Sequence, residues 1–232
     1  MEIPIVAVRA PEYWPRIRVM ALVDASDRFV LGDTLQYSRQ SHQNRTLVRT
    51  PQGSQWLSVP LEGGQHGRPI GEVAIADGRL WLRKHWRALQ YNYRTSPFFE
   101  FYEPELAPLF ERSWRTLGEL TCTSVRVLGD LFGIDTFLSL ASSLDGAPGS
   151  IEGIRAAVGA CSYLAAADMA ATDRKLTKVG CVMHVDAPEY RQNFAGFEPG
   201  MSALDLLFNY GPEALSMLRR AASVRPDSII QT

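Results

Sequence analysis

Short apolar runs that alternate with helical segments constrain the fold of this chain more than any other feature of its sequence. Residues 3–8 form a β-branched run typical of a buried strand, residues 16–25 have the apolar spacing of a helix, and residues 29–31 form a second short strand. Strand, helix and strand in this order indicate a βαβ unit, in which the two strands run parallel. We therefore expect a mainly parallel sheet with helices on its faces.

The alternation continues along the chain and predicts an α/β fold with a Rossmann-like, nucleotide-binding-like arrangement of three layers. We expect one domain over residues 1–232, with a flexible Gly- and Pro-rich loop around residues 142–150. The remaining predicted elements are a hairpin at 46–48 and 55–60, strands at 71–76, 136–140, 163–166 and 181–185, and helices at 80–93, 104–132 (one long helix or two), 150–161, 202–207 and 212–222.

Composition and charge narrow the classes of partner. The 232 residues carry a formal net charge of −1 with acids and bases spread along the chain, so nucleic acids and anionic membranes are not expected partners. The start lacks the pattern of a signal peptide, and no apolar stretch reaches the roughly 20 residues of a membrane span. Three cysteines without a CxxC pair favour reduced thiols, so we expect a cytoplasmic protein.

Polar side chains cluster directly after the second predicted strand. No phosphate-binding loop or metal-protease motif is present, and the four histidines are not spaced as metal ligands, so neither a metal nor a cofactor is expected. Because ligands of parallel α/β proteins bind at the carboxyl ends of strands, the cluster predicts a site for a polar or anionic small molecule. A solvated loop in which Asp33 caps a turn is the alternative. The cluster consists of Asp33, Gln36, Tyr37, Arg39, His42, Gln43, Asn44 and Arg45.

Separate motifs along the whole chain resemble the WbqC-like family. Several matches in the right order are far more specific than one short motif. The matching segments are Val8-Arg-Ala-Pro-Glu-Tyr-Trp-Pro15, Phe29-Val-Leu-Gly-Asp33, Gln36-Tyr37, Gln43-Asn-Arg45, Thr50-Pro-Gln-Gly53, Gln55-Trp-Leu-Ser-Val-Pro60, Lys84-His85, Tyr93, Ser96-Pro-Phe98, Phe197-Glu-Pro-Gly-Met-Ser202 and Asp205-Leu-Leu-Phe-Asn-Tyr-Gly211.

The resemblance implies a role in the biosynthesis of surface polysaccharides or natural products. The implied reaction is transfer of a small acyl or aminoacyl group, such as glycyl, to an amine of a sugar or similar acceptor. The implied donor is an activated aminoacyl group or a thioester on an acyl or peptidyl carrier protein. A diverged, catalytically weak member that binds a metabolite or a carrier or partner protein is the alternative.

The chain departs from the family pattern at positions that bear on catalysis. The family usually has His-Gln where this chain has Arg9 and Ala10, a second acid where it has Thr34, and Trp where it has His42. The segment at 166–171 also lacks the family's glycines. If the family's histidine is the general base, His42 is the replacement that this sequence offers.

These observations assign roles to individual residues. Asp33 and His42 are the candidate catalytic residues, with Asp33 orienting the imidazole or acting as the base itself. His85, a lone histidine on a predicted helix, has a packed core residue as its alternative. Asp205 and Asn209 share one helix face, which turns either toward the pocket or into a helix-end hydrogen-bond network. The candidate substrate-binding residues are Arg9, Tyr13, Gln36, Tyr37, Gln43, Asn44, Arg45 and His85.

Overall fold

Strands and helices alternate in the computed structural model, which describes residues 3–159, 161–186 and 188–227. The strands found there are β1 (Ile5–Arg9), β2 (Arg28–Leu31), β3 (Arg45–Thr50), β4 (Gly53–Ser58), β5 (Phe137–Leu140), β6 (Ser162–Ala166), β7 (Cys181–Val185) and β8 (Ala222–Pro226). The helices are α1 (Ile17–Asp24), α2 (Leu80–Tyr93), α3 (Phe99–Glu111), α4 (Leu117–Phe132), α5 (Ile151–Val158), α6 (Ala170–Leu176), α7 (Ala203–Tyr210) and α8 (Ala214–Ala221).

A mainly parallel sheet forms the centre of the fold. Within the described residues it has six strands in the order β5-β2-β1-β6-β7-β8, and only the β7–β8 pair is antiparallel. β3 and β4 form a separate antiparallel hairpin. The predicted α/β fold with a mainly parallel sheet between helical layers is therefore confirmed.

Two apolar cores hold the helices on opposite faces of the sheet. Successive strand residues point to opposite faces, so Ala7 of β1 joins one core while Val6 and Val8 join the other. Helices α1, α4 and α7 contribute to the core of Ala7, and helices α5 and α6 contribute to the core of Val6 and Val8. The strands are apolar on both faces because both faces are covered.

The strand predicted at residues 71–76 is wrong. Residues Ile70–Glu72 form a single 3-10 turn, and the residues that follow make only isolated bridges. The reason is close packing of α4 against this turn: a Cβ atom on Gly118 would lie 2.6 Å from the Cα of Gly71. Because neither glycine has a Cβ atom, the backbones of α4 and of this turn can come into contact. Residues 71–76 pack against α4 in this way and do not pair as a strand.

The region predicted as one long helix or two contains two. Helix α3 starts earlier than predicted, and helix α4 starts after a break where the side chain of Thr116 accepts a hydrogen bond from the backbone N–H of Glu119 (3.2 Å). Two elements were not predicted, the short helix α6 and the edge strand β8.

The Gly- and Pro-rich segment at 142–150 lies against the end of β2. The carboxylate of Asp33 accepts hydrogen bonds from the backbone N–H (2.9 Å) and the hydroxyl of Ser142. The hydroxyl of Thr34 donates to the carbonyl of Pro148 (2.6 Å). The flexibility of this loop stays a prediction.

In the described part of the chain, no helix is long and apolar enough to cross a bilayer.

Candidate functional site

A cavity of about 560 Å³ opens at the carboxyl ends of β6 and β7. β2 lies on one side of β1 in the sheet, and β6 lies on the other side. Helix α1, which leads from β1 to β2, and helix α5, which leads into β6, lie on opposite faces of the sheet. The carboxyl ends of β1 and β6 therefore flank a topological switch point, where parallel α/β folds form their ligand crevices. The residues after β6 and the start of α1 both line the cavity, so the cavity lies at this point.

The cavity wall combines apolar, aromatic and ionisable side chains. Trp56, in the middle of β4 opposite Leu47, is 42% exposed, which is high for an indole. The other aromatic or apolar lining side chains are Ile17, Leu47, Ala166, Ala167, Met183, Val185, Pro188, Tyr190, Phe197 and Met201. The ionisable ones are Arg16, Arg18, His42, Asp168, His184, Asp186 and Glu198.

Both arginines of the cavity are already neutralised by carboxylates. Arg16 pairs with Glu12, with 3.0 Å between Nε and Oε2, and Arg18 pairs with Asp168. Asp186 and Glu198 have no ion-pair partner among the described residues. The uncompensated charge of the cavity is therefore negative, which favours a cationic ligand.

The loop that carries His42 is shaped by the side chains of the Gln43-Asn-Arg45 motif. The carboxamide oxygen of Gln43 accepts a hydrogen bond from the backbone N–H of Ser38 (2.8 Å), which closes the loop. Arg45 donates to the carbonyl of Gln40 (2.7 Å) and places its guanidinium 4.3 Å from the ring centroid of Trp56. The other neighbour of Trp56 is His42, with 5.2 Å between the ring centroids.

His42 itself has the properties of a proton acceptor. Within the described residues its Nδ1 atom is buried and has no hydrogen-bond partner. Burial lowers the pKa of His42, the charge of Arg16 lowers it further, and Glu12 opposes the shift. Because the lowered pKa keeps the imidazole neutral at physiological pH, the ring can accept a proton from a bound group.

Asp33, the other candidate catalytic residue, does not line the cavity. Its carboxylate is held by Ser142 at the end of β2, and within the described chain it makes no hydrogen bond to His42. The charged groups that act on the His42 imidazole are Arg16, Glu12 and Arg45. His42 therefore lies near the start of α1, whereas Asp33 lies at the end of β2, and the two candidate catalytic residues are not together.

Arg9 ends β1 in a buried ion pair. Its guanidinium donates to the carboxylate of Asp173 (2.7 Å) and to the hydroxyl of Tyr163 (2.8 Å). The Asp173 side chain is 1% exposed and the Arg9 side chain 14%. The Arg9 guanidinium is thus occupied by partners inside the protein.

Three further predicted binding residues form hydrogen bonds within the protein or lie in its interior. Asn44 donates to the carbonyl of Val59 (3.2 Å) beside the hairpin, and Tyr37 is buried with its backbone N–H bonded to the carbonyl of Arg68 (2.8 Å). Gln36 is exposed and bridges to Pro69. None of the three lines the cavity.

Tyr13 and His85 contact each other in the core. The Tyr13 hydroxyl and the Nδ1 atom of His85 are 3.0 Å apart, and both residues are buried. Burial lowers the pKa of His85 to about 4, against a smaller opposing effect of the hydrogen bond to the backbone of Ser58. The backbone N–H of Tyr13 also donates to the carbonyl of His42 (3.1 Å). The buried Tyr13–His85 pair is therefore connected to the loop that carries His42.

His85 gives the protein a pH-dependent stability. Its folded-state pKa lies below its unfolded value, so the unfolded chain binds a proton that the folded protein does not as the pH falls from about 6.5 to 4. We expect protonation of His85 in the unfolded chain to lower the free energy of unfolding by roughly 1–2 kcal/mol when the pH is lowered from 7 to 5. Urea unfolding at both pH values measures the drop. The His85→Asn variant should lose this part of the pH dependence, and an unchanged dependence would contradict the assignment.

Asp205 anchors the wall of the cavity from inside the protein. The carboxylate is fully buried and accepts hydrogen bonds from the hydroxyls of Tyr93 (2.9 Å) and Tyr190 (2.6 Å) and from the amide of Gln192 (2.9 Å). Burial raises the pKa of Asp205, and these hydrogen bonds oppose the rise. Asn209 donates to the carbonyl of Asp205 (2.7 Å), so the geometry supports the helix-end network for this pair.

Among the residues that line the cavity, His42 alone was a predicted site residue. The missed lining residues include Trp56, Asp186, Tyr190 and Glu198. Trp56 and Glu198 lie inside the motifs that carry the family resemblance, so those motifs could have indicated them. Asp186 directly follows β7, and the rule on strand ends applies to it as well as to Asp33. Tyr190 has no local signal, because only the fold turns it toward the cavity.

Comparison with known proteins identifies the chain's relatives. The sequence profile of the WbqC-like protein family matches residues 10–217. The uncharacterized protein Rv1507c of Mycobacterium tuberculosis (strain ATCC 25618 / H37Rv) is 31% identical over 228 residues, which cover 92% of this chain and 97% of that protein. No solved structure matches the chain. The profile match spans most of the sequence, and the chain belongs to the WbqC-like protein family.

Proposed function

We propose that the protein transfers an acyl or aminoacyl group to an amine, that the amine binds in the cavity, and that His42 is the general base. One observation carries the proposal: His42, whose buried Nδ1 has no hydrogen-bond partner among the described residues, lines a cavity together with Asp186 and Glu198, which form no ion pair in that part of the chain. A base and a cation-binding wall are the two groups that an amine acceptor requires.

The charge of the cavity suits the protonated form of an amine. The carboxylates of Asp186 and Glu198 attract an ammonium group. The neutral imidazole of His42 then takes a proton from the nitrogen. Binding and activation of the acceptor thus use different side chains of one cavity.

The transfer step follows from this arrangement. The freed nitrogen attacks the carbonyl carbon of the donor and forms the new C–N bond. The bond from that carbon to the leaving sulfur or oxygen breaks, and the leaving group takes up the second proton that the nitrogen loses as the amide forms. We propose a sugar or natural-product intermediate as the acceptor, and an activated aminoacyl group or a carrier-protein thioester as the donor. A cytoplasmic location is part of this proposal, and the three cysteines, all free thiols, are in keeping with it.

Mass spectrometry of reaction mixtures tests the proposal. Purified protein is incubated with a panel of amino sugars and other amines and with a panel of acyl and aminoacyl thioesters. We expect, for at least one pair, a product whose mass equals that of the amine plus the acyl group, formed only with the protein present. Absence of transfer for every pair, with amines still binding the cavity, would overturn the enzymatic proposal.

The second candidate function is binding without catalysis. The observation in its favour is that the Arg9 guanidinium donates hydrogen bonds to Asp173 and Tyr163. In the family resemblance, Arg9 stands where a histidine is usual. If that histidine is the family's base, this chain retains the cavity and lacks the original catalyst. Amine binding unaccompanied by transfer is the outcome that this candidate predicts.

A further inference from the structure

We infer that the α2–α3 surface is an interface at which two copies of this chain associate around a two-fold axis. The proposal rests on three properties of this helix pair: cations on one helix, acids on the other, and a highly exposed aromatic side chain on each helix.

The exposed face of α2 is cationic. Arg83, Lys84 and Arg87 are exposed on the helix, and Arg94 is exposed at its end. The spacing of residues 83, 87, 91 and 94 places them on one face, and α2 contains no acidic residue. This concentration of charge is a property of the folded helix, since the chain as a whole has a formal net charge of only −1.

The neighbouring helix α3 has the opposite charge. Glu100, Glu105 and Glu111 are exposed on it, and α3 contains no basic residue. The two helices are antiparallel, as shown by the hydrogen bond between Gln90 and Glu103 (2.9 Å) together with the stacking of Trp86 on Phe110 farther along. A cationic ridge therefore runs beside an acidic ridge.

Neither ridge is neutralised within the protein. Among the residues that the structure describes, the exposed cations of α2 and the exposed acids of α3 form no ion pairs. Tyr91 on α2 and Phe101 on α3 are 73% and 70% exposed, which is high for such large apolar side chains. Unpaired charges and exposed rings on one surface are typical of an interface.

The pattern is self-complementary, which selects a second copy as the occupant. A two-fold axis parallel to the helices places α2 of one protomer opposite α3 of its partner, and α3 opposite the partner's α2. Every cationic ridge then faces an acidic one. A flat anionic surface such as a membrane or nucleic acid would instead meet the acids of α3 at the same time as the cations of α2.

The size of the surface predicts weak association. Two helices of this length cover a patch of roughly 20 by 20 Å, which is below the area of about 800 Å² per partner in a standard interface. Exposed ion pairs add little individually, so the aromatic side chains should supply much of the stabilisation. We therefore expect a dimer that dissociates on dilution and at high salt.

Sedimentation velocity of charge-reversed variants tests the inference. The wild type should become dimeric as its concentration rises. Arg83→Glu/Arg87→Glu and Glu105→Arg/Glu111→Arg should each be monomeric, because both contacts of the symmetric interface become repulsive. An equimolar mixture of the two variants should recover the dimer, because each reversed α2 then faces a reversed α3.

A matched control reverses one exposed charge away from the helix pair. Lys178→Glu should leave the dimer unchanged. Circular dichroism establishes that the variants are folded. A wild type that stays monomeric at all concentrations, or a mixture that fails to associate, would overturn the inference.

Discussion

The His42→Ala variant should lose about 10²–10⁴ in the rate of acyl transfer, the contribution that a positioned general base makes. The loss should fall mainly on kcat, because the proposed binding groups for the amine, Asp186 and Glu198, are unchanged. The free energy of unfolding should change little, since His42 is only half-buried and its Nδ1 makes no hydrogen bond that the described protein would lose. Steady-state kinetics with the substrate pair found by mass spectrometry measure the effect.

Two variants separate base catalysis from packing at this position. His42→Phe keeps a ring beside Trp56 but cannot accept a proton, so it should be as slow as His42→Ala. His66→Ala, at an exposed loop position outside the cavity, should retain the wild-type rate. In the wild type, activity should fall as the pH drops through the lowered pKa of His42, because protonation removes the base. A His42→Ala variant that keeps most of its turnover would exclude His42 as the base.

The Asp173→Ala variant should lower the free energy of unfolding by about 3–5 kcal/mol, the cost of leaving a buried charge without its partner. The carboxylate is almost fully buried and lies 2.7 Å from the Arg9 guanidinium. The Tyr163 hydroxyl and the Val8 carbonyl (2.9 Å) remain as acceptors for that guanidinium, but neither carries a compensating charge. Urea unfolding at neutral pH measures the change.

Replacing both partners distinguishes a buried charge from lost packing. The double variant Arg9→Met/Asp173→Leu should recover most of the lost stability, because no charge is then left unpaired. Asp168→Ala breaks the exposed pair with Arg18, whose side chains are 42% and 46% exposed, and should cost at most about 1 kcal/mol. An Asp173→Ala variant within about 0.5 kcal/mol of the wild type would contradict the buried-pair interpretation.

The sheet was predictable because its strands carry local signals. β1, β2, β6 and β7 are short apolar runs buried on both faces, and such runs can be found without knowing their neighbours. The strand β8 was missed for the opposite reason. Its residues are mostly exposed, and pairing with β7 is what makes them a strand.

The position of the cavity could not be predicted from local patterns. The strand-end rule was applied to Asp33 at the end of β2, whereas the switch point lies between β1 and β6 and is set by the order of strands. His42 reaches the cavity because its loop runs into the β3–β4 hairpin, whose residues Leu47 and Trp56 also line it. Its neighbours Gln43 and Arg45 look like ligand-binding groups in sequence, but in the fold they shape the loop.

The central claim, that an amine binds beside His42 in this cavity, is tested most directly by NMR of the histidine side chains. The chain has four histidines, of which His42 and His184 line the cavity, while His66 is exposed elsewhere and His85 is in the core. In protein labelled with ¹⁵N-histidine and titrated with an acceptor amine, we predict that the signals of His42 and His184 shift while those of His66 and His85 do not. Shifts confined to His66 or His85, or no shift with any amine of the panel, would contradict the account.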